Sequence, residues 1–155
     1  MIRRPAILAL AVALATPAAA DRALVIGIDR YQDTRLDAGG DGAGRDVDAI
    51  VAMLRTDLGY AESDIRVLRD GAATRAAILD GLDTWLAGGT RTGERAFLYF
   101  SGQGWFADDA DGDEADRLDE VLLPADAVVG PGDPPVIAGA ILDDEVAAAL
   151  KRLGH

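Results

Sequence analysis

The stretch Arg22-Ala23-Leu24-Val25-Ile26-Gly27-Ile28-Asp29 is a continuous apolar run closed by a polar turn. Such a run has no polar face to give to water, so it reads as a strand buried on both sides, the usual environment in a parallel sheet. Working outward, a Gly-rich loop from Gly39 to Gly44 is followed by apolar positions Val47, Ile50, Val51, Leu54 and Leu58 at helical spacing, with Gly59 as a stop. Asp64 to Arg69 then alternates apolar with polar, as an edge or half-covered strand should. Thr74 is placed to cap a second helix carrying Ile78, Leu79, Leu82, Trp85 and Leu86 on one face before Gly88-Gly89 ends it. A third strand runs from Ala96 to Ser101. Alternating strands and helices imply an α/β fold built of parallel, right-handed crossovers, with the most apolar strand central and a spatial order 2-1-3.

The remainder is less regular. A Gly-bounded loop follows Ser101, then a carboxylate-rich stretch from Asp108 to Glu120, a short apolar Val121-Leu122-Leu123, and a Pro/Gly-rich segment from Gly130 to Pro135. A last helix is expected from about Asp143 through Val146, Leu150 and Leu153. The first twenty residues differ from the rest. Arg3 and Arg4 precede an apolar stretch from Ala6 to Ala15 and small residues at Ala18 and Ala20, the layout of a secretory signal cut ahead of Asp21. The expectation is therefore a signal at 1–20, one domain at 21–155, and a periplasmic or extracellular location without a membrane anchor.

The 155 residues carry a net charge of −12, and removing Arg3 and Arg4 with the signal would take it to about −14. An acidic surface of that size repels phosphate backbones and anionic membranes and suits cationic ligands. The chain has no cysteine, which excludes disulfides, thiolate metal sites and thiol catalysis by its own residues.

In an open parallel sheet, ligands gather beyond the carboxyl ends of the strands, where strand order reverses. That edge receives Asp29-Arg30-Tyr31 after strand one and Ser101-Gly102-Gln103-Gly104-Trp105 after strand three, with Arg45-Asp46 close by. Four segments in this order resemble the caspase-like peptidase family (peptidase C14), specifically its metacaspase and bacterial branch. They are Ala23 to Ile28 with Tyr31, Gly44-Arg45-Asp46-Val47, Tyr99-Phe100-Ser101-Gly102-Gln103-Gly104, and Asp111-Gly112-Asp113-Glu114 leading through Leu118-Asp119-Glu120 to Leu123-Pro124-Ala125-Asp126. The resemblance implies a caspase-like three-layer α/β/α fold, of which this chain holds the N-terminal half. It also implies a cysteine-type endopeptidase ancestry, in which a histidine after the third strand is the general base for a cysteine on the next strand.

Gln103 stands at the histidine's position. A primary amide donates and accepts hydrogen bonds but has no usable basicity near neutral pH. The Asp-x-Cys turn that bears the family's nucleophile is absent before His155, so the expectation is a pseudoenzyme or the first part of a longer peptidase. By the same resemblance, the backbone N–H of Gly104 would serve an oxyanion hole, and Asp46 would line a pocket for arginine or lysine. Each has a plain structural alternative: a tight turn for Gly104 and the positive end of the first helix for Asp46. Asp119, Asp143 and Asp144 match positions that hold Ca2+ in calcium-dependent metacaspases, although Asp143 and Asp144 would also suit an ordinary helix start. The run Asp109, Asp111, Asp113 to Glu120 is not an EF-hand loop, because Glu114 replaces the glycine of its sixth position. The partners expected are a basic peptide or protein and, along the open edge of residues 96–101, a strand from a second chain. A non-catalytic module binding calcium or a basic peptide is the alternative function.

Overall fold

The structure, a computed structural model, describes residues 21–37, 39–108 and 118–153. The signal expected at 1–20, most of the acidic stretch and His155 lie outside them.

Three strands form the parallel sheet, β1 (Arg22–Gly27), β2 (Ile65–Arg69) and β3 (Ala96–Ser101), in the order β2-β1-β3 expected from the sequence. The register sets Val25 against Val67 on one side and Tyr99 on the other, and Gly27 against Arg69 and Ser101. Side chains alternate across β1 and feed two cores. Ala23 and Val25 pack with Val47, Leu54 and Tyr60 under α1 (Gly42–Thr56). Leu24, Ile26 and Ile28 pack on the opposite face with Ile78, Leu82 and Leu86. These last three belong to α2 (Arg75–Asp80) and to its continuation as a π-helical segment, Gly81–Ala87. The uninterrupted apolar run of β1 thus exists because helices cover both of its faces.

Local chemistry places the helices. The Thr74 side chain accepts a hydrogen bond from the Ala77 N–H at 3.2 Å, the expected cap. Gly81 lets the second helix approach the sheet, since a Cβ there would lie 2.8 Å from Leu24 Cδ2. Gly59, at φ 73°, ends the turn after α1 in the left-handed region that favours glycine. α1 starts at Gly42, inside the stretch expected to be loop, because an acceptor from elsewhere in the fold serves its first N–H groups, as described below.

Two corrections concern the region after β3. The loop expected there contains β4 (Gly104–Asp108), which pairs antiparallel with β5 (Leu118–Leu122). The Pro/Gly-rich segment forms a hairpin of β6 (Val128–Gly132) and β7 (Pro135–Ala138). A two-stranded ribbon needs ladder bonds on one side of each strand only, so it tolerates Pro131 and Pro135 where a central strand would not. Gly132, at φ 121°, makes the turn possible. β8 (Ile141–Leu142) adds to β5 and leads into α3 (Asp143–Leu150). α3 is held to the second helix by Arg75, whose Nη2 donates to both Glu145 oxygens at 2.6 and 2.8 Å, and by the Arg152–Asp83 ion pair. Among the described residues no strand pairs with the free side of β3, and no helix is long and apolar enough to cross a membrane.

Candidate functional site

The ends of β1 and β3 and the start of α1 meet at the carboxyl edge of the sheet. Ile28 N–H donates to the Ser101 carbonyl at 2.9 Å, which holds the chain leaving β1 beside the turn leaving β3. Beyond it, Asp29 is buried at 8% exposure, and its carboxylate accepts the Ala43 N–H at 3.0 Å and the Gly44 N–H at 2.8 Å. These are unsatisfied donors of the first helical turn, and a carboxylate there also meets the positive end of the helix dipole. Asp41, which precedes the helix, makes no side-chain cap of its own. The helix-terminus role is thus filled by Asp29.

Asp46 is exposed, one turn into α1, and its Oδ2 accepts a hydrogen bond from Ser101 Oγ at 2.9 Å. That bond ties α1 to the end of β3 and turns the carboxylate toward the turn bearing Gln103. Asp29, Asp41, Asp46, Ser101, Gly102 and Gln103 line a cavity of about 420 Å³. Arg45 also lines it and pairs with Asp41 at 3.0 Å, which leaves three carboxylates against one guanidinium.

The turn itself is held from two sides. Gln103 N–H donates to the Tyr31 hydroxyl at 2.7 Å, and the Gln103 carbonyl accepts from Leu123 N–H at 3.0 Å. Tyr31 is buried at 5% exposure. Burial pushes its phenol up, the Gln103 N–H opposes that, and Asp29, Asp37 and Asp70 add to the rise, so the hydroxyl stays neutral near pH 7. A Cβ at Gly102 would lie 2.9 Å from both Tyr31 Oη and the Phe100 ring, so the turn closes only on glycine. Gly104 is under no such constraint, since a Cβ there would meet only the Val121 carbonyl at 3.4 Å. The sterically required glycine is Gly102, and the tight-turn alternative for Gly104 has no support. Alternation of the antiparallel ladder, with Gln103 bonded to Leu123, directs the Gly104 N–H away from β5.

Sequence reading missed Tyr31 as an anchor, Asp29 as the helix acceptor, and Asp70. Asp70 adopts φ 43°, and its Oδ1 accepts the N–H groups of Asp29 and Arg30 at 2.9 and 3.0 Å. A carboxylate after each of two parallel strands was the available signal.

The three residues considered for calcium lie on two elements, β5 and α3. Asp119 is buried in β5 at 5% exposure, while Asp143 and Asp144 are exposed at the start of α3, where Asp143 Oδ1 accepts the Asp144 N–H at 2.9 Å. Among the described residues no group of three or more His, Asp or Glu side chains could hold a metal ion. The EF-hand-like acidic run falls largely outside those residues.

Comparison with known proteins agrees with this architecture. The solved structure of protein GSU0716 from Geobacter sulfurreducens superposes with a TM-score of 0.63 at 26% identity, over 87% of this chain and 46% of that one. Metacaspase-1A of Neurospora crassa is 34% identical over 132 residues, and metacaspase-1 of Schizosaccharomyces pombe is 32% identical over 131. Each alignment covers 81% of this chain but only 26% and 28% of the respective relative, so the chain spans little more than a quarter of their length. The family model for the metacaspase, peptidase C14 domain matches residues 21–155, and the chain belongs to that caspase-like family.

Proposed function

We propose that this domain binds an arginine- or lysine-containing segment in the cavity between β1, β3 and α1, and that it does so without cleaving it. The observation that carries the reading is the Asp46 carboxylate, held by Ser101 on a cavity wall with two further carboxylates and Gln103. A guanidinium or ammonium entering there gains charge-assisted hydrogen bonds and meets a surplus of negative charge. Hydrolysis of the family's kind needs a base and a thiolate. Gln103 is an amide, and none of the 155 residues is a cysteine. The secretory layout of residues 1–20 adds export from the cytoplasm to this reading.

Calorimetric titration with a short peptide containing one arginine tests the reading. Asp46→Ala is expected to weaken binding about tenfold, the size of one partly exposed charge-assisted contact. Binding to the unaltered domain should weaken as salt is raised, because the pocket opens to solvent. Affinity indifferent to both Asp46→Ala and salt would remove Asp46 from the role.

A further inference from the structure

The chain leaves the cavity along β4, and there the surface changes character. Phe106 is 59% exposed and Trp105 37% exposed, unusual for aromatic side chains beside a folded core. Phe106 and Leu122 share one face of the β4–β5 ribbon, since Phe106 pairs with Glu120 and Leu122 with Gly104. Val146 and Leu150 of α3 stand opposite, and together these residues line a groove of about 640 Å³. That volume is in the range of ligand pockets. The groove is apolar along its floor and acidic at its rim, where Glu120 and Asp143 lie, and among the described residues no cation lines it.

Resting on the basic-cavity reading above, we infer that this groove is a second subsite of the same site, selecting apolar side chains that flank the basic residue of a bound extended peptide. Two observations fix the occupant. The first is continuity: Gln103 lines the cavity and Gly104 lines the groove, so one ligand strand crosses from one to the other. At the rise of an extended strand, Phe106 lies about 10 Å beyond Gln103, so the apolar residue stands about three positions from the basic one. The second is charge. The acidic rim and the net charge of −12 favour a basic ligand and oppose a second copy of this chain, which would bring its own Glu120 and Asp143 against the first.

Three fluorescent peptides distinguish the possibilities: one arginine flanked by serines, the same arginine with leucines two to four residues away on both sides, and the leucine peptide with the arginine replaced by serine. The leucine–arginine peptide should bind the full chain about tenfold more tightly than the serine–arginine peptide. Phe106→Ser should collapse that ratio to about one. Leu150→Gln, a change that an exposed helical position accommodates, should reduce it too and covers the case in which Phe106→Ser fails to fold. Equal affinity for the two arginine peptides, or a ratio that survives both substitutions, overturns the subsite. If arginine contributes nothing while leucine binding remains sensitive to Phe106→Ser, the groove binds apolar peptides alone. That result overturns the linkage and the basic-cavity reading but not the groove.

Discussion

Replacing Asp29 with alanine is expected to cost about 3 kcal/mol of folding stability, read from urea denaturation. The carboxylate is nearly buried and accepts two N–H groups from the first turn of α1, at 3.0 and 2.8 Å. Hydrogen bonds to a charged acceptor contribute about 1.5 to 3 kcal/mol each, and removing the acceptor leaves donors with no replacement. The helix dipole adds a further ~0.3 to 1 kcal/mol to the loss. Asp41 makes no cap bond that could compensate. Asp29→Asn keeps one acceptor oxygen without the charge, so it should show about half the effect. A loss below about 1 kcal/mol for the alanine variant would mean that water replaces these bonds without cost, and that Asp29 does not anchor the helix that carries Asp46.

Gly27→Ala is the second large effect, of about 2 to 3 kcal/mol, or a fall of roughly 10 °C in melting temperature. A Cβ at position 27 would lie 2.4 Å from Val47 Cγ2 and 2.8 Å from the Ala43 carbonyl oxygen. Val47 is fully buried and β-branched, so its side chain cannot swing away, and Ala43 O belongs to the helix backbone. The whole of α1 has to lift from the sheet. Because Asp46 travels with it, the variant should also weaken arginine-peptide binding, whereas a stability loss with unchanged affinity would separate the packing of α1 from the geometry of the cavity.

The parallel sheet was legible because burial on both faces leaves its mark on composition: Leu24 to Ile28 has no polar position to spare. The 2-1-3 order followed from the handedness of crossovers. β4 left no such mark. Trp105 and Phe106 stay exposed, so the strand shows no alternation of burial, and its partner β5 starts only at the far end of the acidic stretch. The β6–β7 hairpin was masked by its prolines and glycines, which a ribbon accepts and a sheet interior does not. At the site, residue types were readable and hydrogen-bond partners were not. Gln103 stood out through resemblance to a known motif, and Asp46 likewise. Asp29 accepts from residues 14 and 15 positions away and Tyr31 from one 72 positions away, and no local periodicity encodes such separations. The same limit explains why the steric demand at Gly102 was not legible in the motif. Only the packed position of Tyr31 and Phe100 shows which glycine has no room for a side chain.

The central claim, recognition of a basic residue without cleavage, is tested most directly by incubating the purified chain with a labelled arginine peptide while recording both its anisotropy and its mass. The account predicts saturable binding with the peptide mass unchanged over many hours, and the same intact mass with Gln103→His, since a restored base still has no thiol to activate. A peptide cut beside its arginine by the chain alone would contradict the account, as would an arginine peptide that does not bind.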